Sequence, residues 1–163
     1  MNSLALTDHG VMYGAIELIK ICQQTRFKPL IGNEMYIING DIRKTRTSCE
    51  IPSSCVGKKT PKVIKTYSQT NHHFHLKGNP GKEFFRPCIN KDLLKEHKEG
   101  LIVTSACLAG EIPKKMGGKL EKARKVATWY KEVFGEDFYL EIQDHGSQED
   151  RIVNVELVKL PEN

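Results

Sequence analysis

The fold is decided by the stretch Leu4-Ala5-Leu6-Thr7-Asp8-His9-Gly10-Val11-Met12-Tyr13-Gly14-Ala15-Ile16. Its small and apolar start predicts a short buried strand over 4–7, and apolar residues at helical spacing predict a helix over 12–26. In α/β folds, the residues just past the carboxyl end of a strand face the ligand site. Asp8 and His9 occupy that position and are candidate site residues. The alternative is that Asp8 caps the helix and His9 is a solvated turn residue.

The rest of the chain continues the same alternation of strands and helices. Lys28-Pro29 ends the first helix and leads into a strand over 30–38. The later periodic segments predict a helix over 90–98, a strand over 101–104, a helix over 120–134, a strand over 137–143 and a helix over 152–160. Ser147 and Asp150 resemble a capping box before the last helix. The sequence therefore predicts the α/β class, with parallel strands and outer helices and too few strands to close a barrel.

Composition places the chain among ordinary globular proteins. The 163 residues are 39% hydrophobic and 28% charged, and no apolar run approaches the ~20 residues of a membrane helix. The five cysteines are odd in number and include no Cys-x-x-Cys pair. This usage argues against a disulfide framework and a zinc knot, and it predicts a reducing, cytoplasmic compartment with no membrane partner.

Positive charge is concentrated in one segment. The chain carries a net charge of +5, but residues 42–82 hold nine Lys or Arg against the single acid Glu50. Residues 40–71 show no clear period, and we expect a basic, poorly ordered insert at about residues 42–71 within a domain spanning 1–163. The segment is either a solvated insert or a surface that contacts the phosphates of DNA.

Several polar side chains stand at positions that suit metal binding. Glu34 is flanked by apolar residues in the predicted strand 30–38, where a carboxylate needs a cation, a metal or a backbone donor. The run Asn71-His-His-Phe-His75 contains three histidines in four residues, a spacing that can bind zinc, copper or manganese. Cys107 follows the predicted strand 101–104 and is either a small core residue or a thiolate ligand. For Glu34 and the histidines, the alternatives are a solvent-facing strand residue and a polar loop.

Long motifs in a fixed order also carry a family resemblance. The opening stretch, Lys28–Tyr36, Phe85–Leu94, Glu99–Pro113 and Ala127–Gly146 resemble the PHP (polymerase and histidinol phosphatase) domain. The form they resemble most is the one at the amino end of bacterial DNA polymerase III alpha subunits. The match covers most of the chain apart from about residues 42–71.

The resemblance implies a (β/α) barrel with metal ions at the carboxyl ends of its strands. By position it implies that His9, Glu34, His73 and Cys107 bind divalent ions (Zn, Mn or Mg), with Asp8 beside them in a supporting role. His72 and His75 are alternatives to His73. The family's His-x-His opening motif and its late Asp and His are not in this sequence, so we expect a partial barrel truncated at both ends.

The implied function is that of a fragment of a replicative DNA polymerase. The parent protein would be a DNA-directed polymerase with DNA, the rest of the alpha subunit and replisome proteins as partners. Its PHP domain would serve as a metal-dependent 3′–5′ exonuclease or as a structural platform. The fragment itself is expected to be nearly inactive. The alternative function is a stand-alone, histidinol-phosphatase-like phosphoesterase.

Overall fold

The structure is a computed structural model that describes residues 1–38, 51–57, 88–116 and 119–160. The strands in these ranges are β1 Ser3–His9, β2 Lys28–Ile38, β3 Ile51–Gly57, β4 Cys88–Asn90, β5 Leu101–Thr104 and β6 Phe138–Tyr139. The α-helices are α1 Ala15–Gln24, α2 Lys91–Glu96, α3 Pro113–Met116, α4 Leu120–Phe134 and α5 Gln148–Lys159. None of the helices described is long and apolar enough to cross a membrane.

The long strand β2 organises the sheet. It pairs in parallel with β1, in a register that runs from Ser3 opposite Lys28 to His9 opposite Glu34. The short strand β4 pairs with the last three residues of β2, along the same edge as β1. On its other edge β2 pairs with β3, and the order continues through β5 to β6. The α/β class with parallel strands is therefore confirmed, and the described strands form an open sheet rather than a closed barrel.

Strand β3 departs from the sequence expectation. Residues 40–71 were expected to be irregular, but Ile51–Gly57 forms a strand antiparallel to both β2 and β5, so the sheet is mixed. Pro52, Ser53 and Ser54 have weak strand propensity. Pairing with β2 over 51–56 and with β5 over 54–57 supplies backbone hydrogen bonds that the local sequence does not favour. Residues 42–50 and 58–71 of the predicted insert lie outside the described residues.

The last strand is also shorter than its alternating pattern predicts. Only Phe138 and Tyr139 of the predicted strand 137–143 pair with β5, after a 3₁₀ turn over 135–137. After Tyr139 the pairing with β5 ends. There the Ser105 hydroxyl accepts the Glu141 backbone N–H at 2.8 Å. This bond keeps the chain beside β5 in an irregular conformation.

Helices pack on one face of the sheet. Helix α1 buries Ala15, Leu18 and Cys22 against Ile31 of β2. A larger core joins β2, β4 and β5 to α4, whose buried positions recur at the spacing expected of an amphipathic helix: Ala123, Val126, Tyr130, Val133 and Phe134. The Tyr130 ring stacks on Phe138 at a centroid distance of 5.3 Å. The predicted helix 120–134 is thus confirmed to the residue, and its buried side holds β6 against β5.

Helix α5 begins with the capping box that the sequence predicted. The Ser147 hydroxyl accepts the Asp150 backbone N–H at 3.0 Å, and the Asp150 carboxylate accepts the Ser147 backbone N–H at 3.3 Å. The two bonds satisfy donors that the first turn of a helix otherwise leaves unpaired.

Removal of this cap gives a first stability prediction. Ser147→Ala is expected to lower the free energy of unfolding by about 1 kcal/mol, because one helix N–H loses its acceptor. Urea unfolding followed by far-UV circular dichroism measures the change. Ser3→Ala is the matched control, because within the described residues the Ser3 hydroxyl bonds to its neighbour Asn2 at the start of β1, in an exposed contact. An equal loss in both variants would contradict the capping assignment.

Candidate functional site

The site begins with a pair of residues that the β1–β2 register places side by side. His9 ends β1, and its register partner in β2 is Glu34. The His9 Nδ1 atom lies 2.7 Å from Glu34 Oε2. The Glu34 side chain is only 7% exposed, whereas that of His9 is 76% exposed. The carboxylate is thus held inside the wall of the site, and the imidazole stands at its mouth.

Cys107 reaches the same carboxylate from the loop after β5. Its Sγ atom donates to Glu34 Oε1 at 3.6 Å, although 73 residues separate the two in sequence. The loop is tightly folded, with Ala106 at a φ of 59° and the Gly110 N–H bonded to the Cys107 carbonyl at 2.8 Å. A Cβ atom on residue 110 would lie 2.1 Å from the Ser105 carbonyl oxygen. Glycine is therefore required there for the loop to present Cys107 to Glu34.

The surroundings of Cys107 keep its thiol protonated. Burial is the largest cause that raises its pKa, and the nearby Glu34 charge raises the pKa further. Backbone hydrogen bonds from Ala109 act in the opposite direction without cancelling these effects. A bound cation would reverse the balance, because a thiol that coordinates a metal loses its proton.

Asp8 does not lie beside His9 and Glu34 but on the opposite face of the sheet. Because successive strand side chains point to opposite faces, Asp8 lies on the α1 side of the sheet, where its Oδ2 accepts the Gly14 N–H at 2.9 Å. Its register partner Asn33 is fully buried and donates from Nδ2 to the Val11 carbonyl. Together they hold the turn that follows His9, which agrees with the helix-entry alternative for Asp8. Its supporting role at a metal site stays a prediction.

The site also contains polar residues that sequence reasoning missed. An open cleft of about 510 Å³ is lined by His9, Glu34 and Cys107 and also by Glu141, Gln143 and His145. The Glu141 carboxylate accepts hydrogen bonds from Thr104 Oγ1 and Gln143 Nε2. The sequence contained a signal for two of these residues, because Glu141 and Gln143 share the polar face of the alternating stretch 137–143.

The structure brings together three of the four predicted ligands. His9, Glu34 and Cys107 meet, while His73 and its alternatives His72 and His75 lie outside the described residues. Within ranges 1–38, 51–57, 88–116 and 119–160, no three His, Cys, Asp or Glu side chains are arranged to hold one metal ion. Among the described residues, His9 and Cys107 therefore each contact Glu34, but the three side chains do not surround a common point.

The donor chemistry of these contacts fits a divalent metal. An imidazole nitrogen, a carboxylate oxygen and a thiol sulfur are the donors that zinc accepts, and manganese accepts the first two. The Glu34 carboxylate is buried and has no lysine or arginine paired with it among the described residues. A cation would therefore be an appropriate partner for it, with His9 and Cys107 as the neighbouring ligands.

Comparison with known proteins identifies the family. Residues 1–145 match the family model of the PHP domain. The chain is 37% identical over 169 residues to the DNA polymerase III subunit alpha of Borreliella burgdorferi, and 34% identical over 171 residues to that of Helicobacter pylori. The Campylobacter jejuni subunit is 34% identical over 170 residues. Each alignment covers 98% of this chain but only 14% of the relative. The chain therefore belongs to the PHP domain family.

Proposed function

We propose that this chain is the PHP region of a DNA polymerase III alpha-type protein that acts in DNA replication. The support is identity of 34–37% across 98% of the chain to three proteins of that name. The polymerase activity belongs to the longer protein in this proposal, because the chain spans only 14% of each relative. DNA, the remainder of the alpha subunit and other replisome proteins would be its partners in the cytoplasm.

The local activity that the site supports best is metal-dependent hydrolysis of a phosphodiester, as a 3′–5′ exonuclease. PHP domains are typically metal-dependent. The observation that carries the proposal is the convergence of His9 and Cys107 on the two oxygens of the buried Glu34 carboxylate. When bound, divalent ions (Zn, Mn or Mg) would activate water and stabilise charge on the phosphate.

The residues of this chain would prepare the cleft for that chemistry. Glu34 supplies a fixed negative charge at the wall, since burial and two contacts restrict its rotamers. His9 supplies an exposed imidazole at the mouth of the cleft, 2.7 Å from Glu34. Cys107 would give up its thiol proton on binding the ion, so its affinity for metal would rise with pH. His73 is proposed as the fourth ligand.

Two other functions remain as alternatives. A structural platform is favoured by the lack of three assembled metal donors within the described ranges. A stand-alone, histidinol-phosphatase-like phosphoesterase is less well supported, because the relatives reported above are polymerase subunits far longer than this chain. Measurement of metal binding separates an active site from a platform.

Metal binding should depend on His9 and Glu34. Glu34→Gln and His9→Ala are each expected to weaken binding of Zn²⁺ or Mn²⁺ at least ~10-fold, because even the loss of an outer partner of a ligand costs that much. Isothermal titration calorimetry and metal analysis after desalting measure the affinity and the stoichiometry. The controls are Glu17→Gln, at an exposed position of α1, and His97→Ala, at the end of α2. Unchanged stoichiometry in both site variants would contradict the proposed metal site.

The basic segment 42–82 should bind DNA weakly and without sequence preference. Its affinity is expected to fall as salt rises, because neutralised phosphates release counterions. Replacement of four of its lysines by alanine should reduce the slope of log affinity against log salt by up to about 3: Lys58, Lys59, Lys62 and Lys65. These residues lie outside the described residues, so the prediction rests on charge alone.

Fluorescence anisotropy with a short DNA duplex measures this slope between low and moderate salt. The matched control replaces four exposed lysines that lie on helices: Lys20, Lys95, Lys114 and Lys125. The control changes net charge by the same amount. Equal slopes for the two variants would show that the segment has no special role in binding DNA.

A further inference from the structure

His145 and Asp150 form a pair that the family resemblance does not explain. His145 lines the same cleft as His9 and Glu34, and its side chain is 67% exposed. Asp150, in the first turn of α5, has a side chain that is only 2% exposed. The distance from His145 Nδ1 to Asp150 Oδ1 is 3.5 Å. An accessible imidazole therefore stands in front of a buried carboxylate.

The two carboxylate oxygens of Asp150 have separate surroundings. Oδ2 accepts the hydroxyl of Ser147 at 2.8 Å and the backbone N–H groups of His145 and Ser147. These contacts account for its role in the helix cap. Oδ1 is buried and has no hydrogen-bond partner in the described part of the chain. The helix cap accounts for the contacts of Asp150 Oδ2. It does not account for Oδ1, which lies 3.5 Å from Nδ1 of the His145 ring.

This arrangement determines which ring nitrogen of His145 is available. A carboxylate next to Nδ1 favours the tautomer with the proton on Nδ1, which leaves the lone pair on Nε2. A metal-binding histidine commonly has its second ring nitrogen oriented by such a carboxylate. A contact of 3.5 Å is long for a hydrogen bond, and we expect it to shorten when Nε2 binds a cation, since the Nδ1–H group then becomes a stronger donor.

The cleft has the charge that a cation requires. Glu34 and Glu141 contribute carboxylates and Cys107 contributes a thiol, and no lysine or arginine is among its described lining residues. A free phosphate would meet repulsion here. Asp150 also lies directly behind the cleft, because it shares a small cavity of about 10 Å³ with Cys107 and Glu141.

We propose that His145 binds a divalent cation in the cleft through Nε2, and that Asp150 is the positioning residue that orients its ring. The inference rests on the proposed metal-dependent function and adds to it a further ligand from the lining of the cleft. Asp150 itself does not contact the cation in this proposal. Glu141 lines the same cleft and is an additional carboxylate donor.

Nuclear magnetic resonance of the chain labelled with ¹⁵N-histidine tests the proposal directly. Long-range ¹H–¹⁵N spectra report both ring nitrogens of each histidine, and His→Gln variants assign the six signals. On addition of Zn²⁺ alone, the Nε2 signal of His145 is expected to shift, and that of His97 should stay constant. Asp150→Asn should weaken the zinc response at His145 at least ~10-fold and leave the response of His9 within about two-fold.

Control variants separate this role from helix capping. Ser147→Ala removes both hydrogen bonds between the Ser147 hydroxyl and Asp150. It keeps the Asp150 charge and the backbone N–H contacts of Oδ2, so the zinc response of His145 should stay within about two-fold of the wild-type chain. If zinc shifts the His9 signal and leaves His145 unchanged in the wild-type chain, the inference is wrong and the proposed function stands. If neither histidine responds, both are wrong. The wild-type titration decides this even if Asp150→Asn fails to fold.

Discussion

Glu111→Ala is expected to lower the free energy of unfolding by about 2–3 kcal/mol, the largest stability effect that we predict for a single side chain here. Glu111 is 3% exposed and collects three polar contacts. Lys91 Nζ lies 2.9 Å from Oε1, Lys115 Nζ lies 3.5 Å from the same atom, and the Tyr130 hydroxyl donates to Oε2 at 3.3 Å. The alanine variant leaves these groups without their shared acceptor.

The surroundings of Lys91 do not replace the lost carboxylate. Its ammonium lies 4.9 Å from the centroid of the Trp129 ring and 5.5 Å from that of Tyr130. The aromatic rings attract the charge, but they limit its access to water and do not supply the hydrogen bond that Glu111 accepts. The lysine side chains are 23–26% exposed and can turn partly toward water. For that reason we place the effect below the 3–5 kcal/mol typical of a fully buried pair.

The chain contains a matched control for burial. Lys131 Nζ and Glu136 Oε1 are also 2.9 Å apart, but these side chains are 56% and 97% exposed. Glu136→Ala should change the free energy of unfolding by less than about 0.5 kcal/mol. Urea titrations of both variants, with the slope against denaturant checked for two-state behaviour, make the comparison. Equal losses of unfolding free energy in Glu111→Ala and Glu136→Ala would show that the burial of Glu111 adds nothing to its effect on stability.

The 163-residue chain by itself is expected to hydrolyse DNA at least about 100-fold more slowly than a longer protein in which the flanking regions of its relatives are present. Within the described ranges, no three donors surround one point, and the imidazole of His9 is 76% exposed. A misplacement of about 1 Å costs a rate factor of this size. We expect no nucleotide incorporation by the chain alone.

Release of nucleotides from a 3′-labelled primer, with Mn²⁺ or Zn²⁺ added, measures this activity. In the longer protein, Glu34→Gln should abolish the nuclease activity and leave nucleotide incorporation measurable. Glu17→Gln is the control, since Glu17 lies at an exposed position on α1. Rapid hydrolysis by the purified 163-residue chain that disappears in Glu34→Gln would overturn the prediction.

Local patterns predicted most of the regular elements. The helix over 120–134 and the strand over 101–104 agree with the structure at both ends, and the capping box at Ser147 is present. The first helix begins at Ala15 instead of Met12, because Gly10–Gly14 forms a turn held by Asp8 and Asn33. Such errors at element ends arise where a side-chain contact outweighs periodicity.

The site was predictable only in part. His9 and Glu34 are neighbours because the register of two adjacent parallel strands places the last residue of β1 opposite a residue inside β2. The approach of Cys107 to Glu34 depends on a tight loop closed by Gly110 and on the position of β5 in the sheet. Glu141 and His145 reach the cleft because the chain leaves the ladder after Tyr139. The hydrophobic periodicity within one element does not specify these contacts between distant segments.

The sequence by itself determined the strand–helix–strand unit at the start of the chain, the amphipathic helix α4 and the helix cap at Ser147. These features depend on side chains a few residues apart or on the register of adjacent strands. Only the tertiary structure decided the antiparallel insertion of β3, the contact of Cys107 with Glu34, and the pairing of His145 with Asp150 at the cleft wall. The physical reason is that each of these depends on which distant segments pair or pack together, a choice made by the packing of the whole chain.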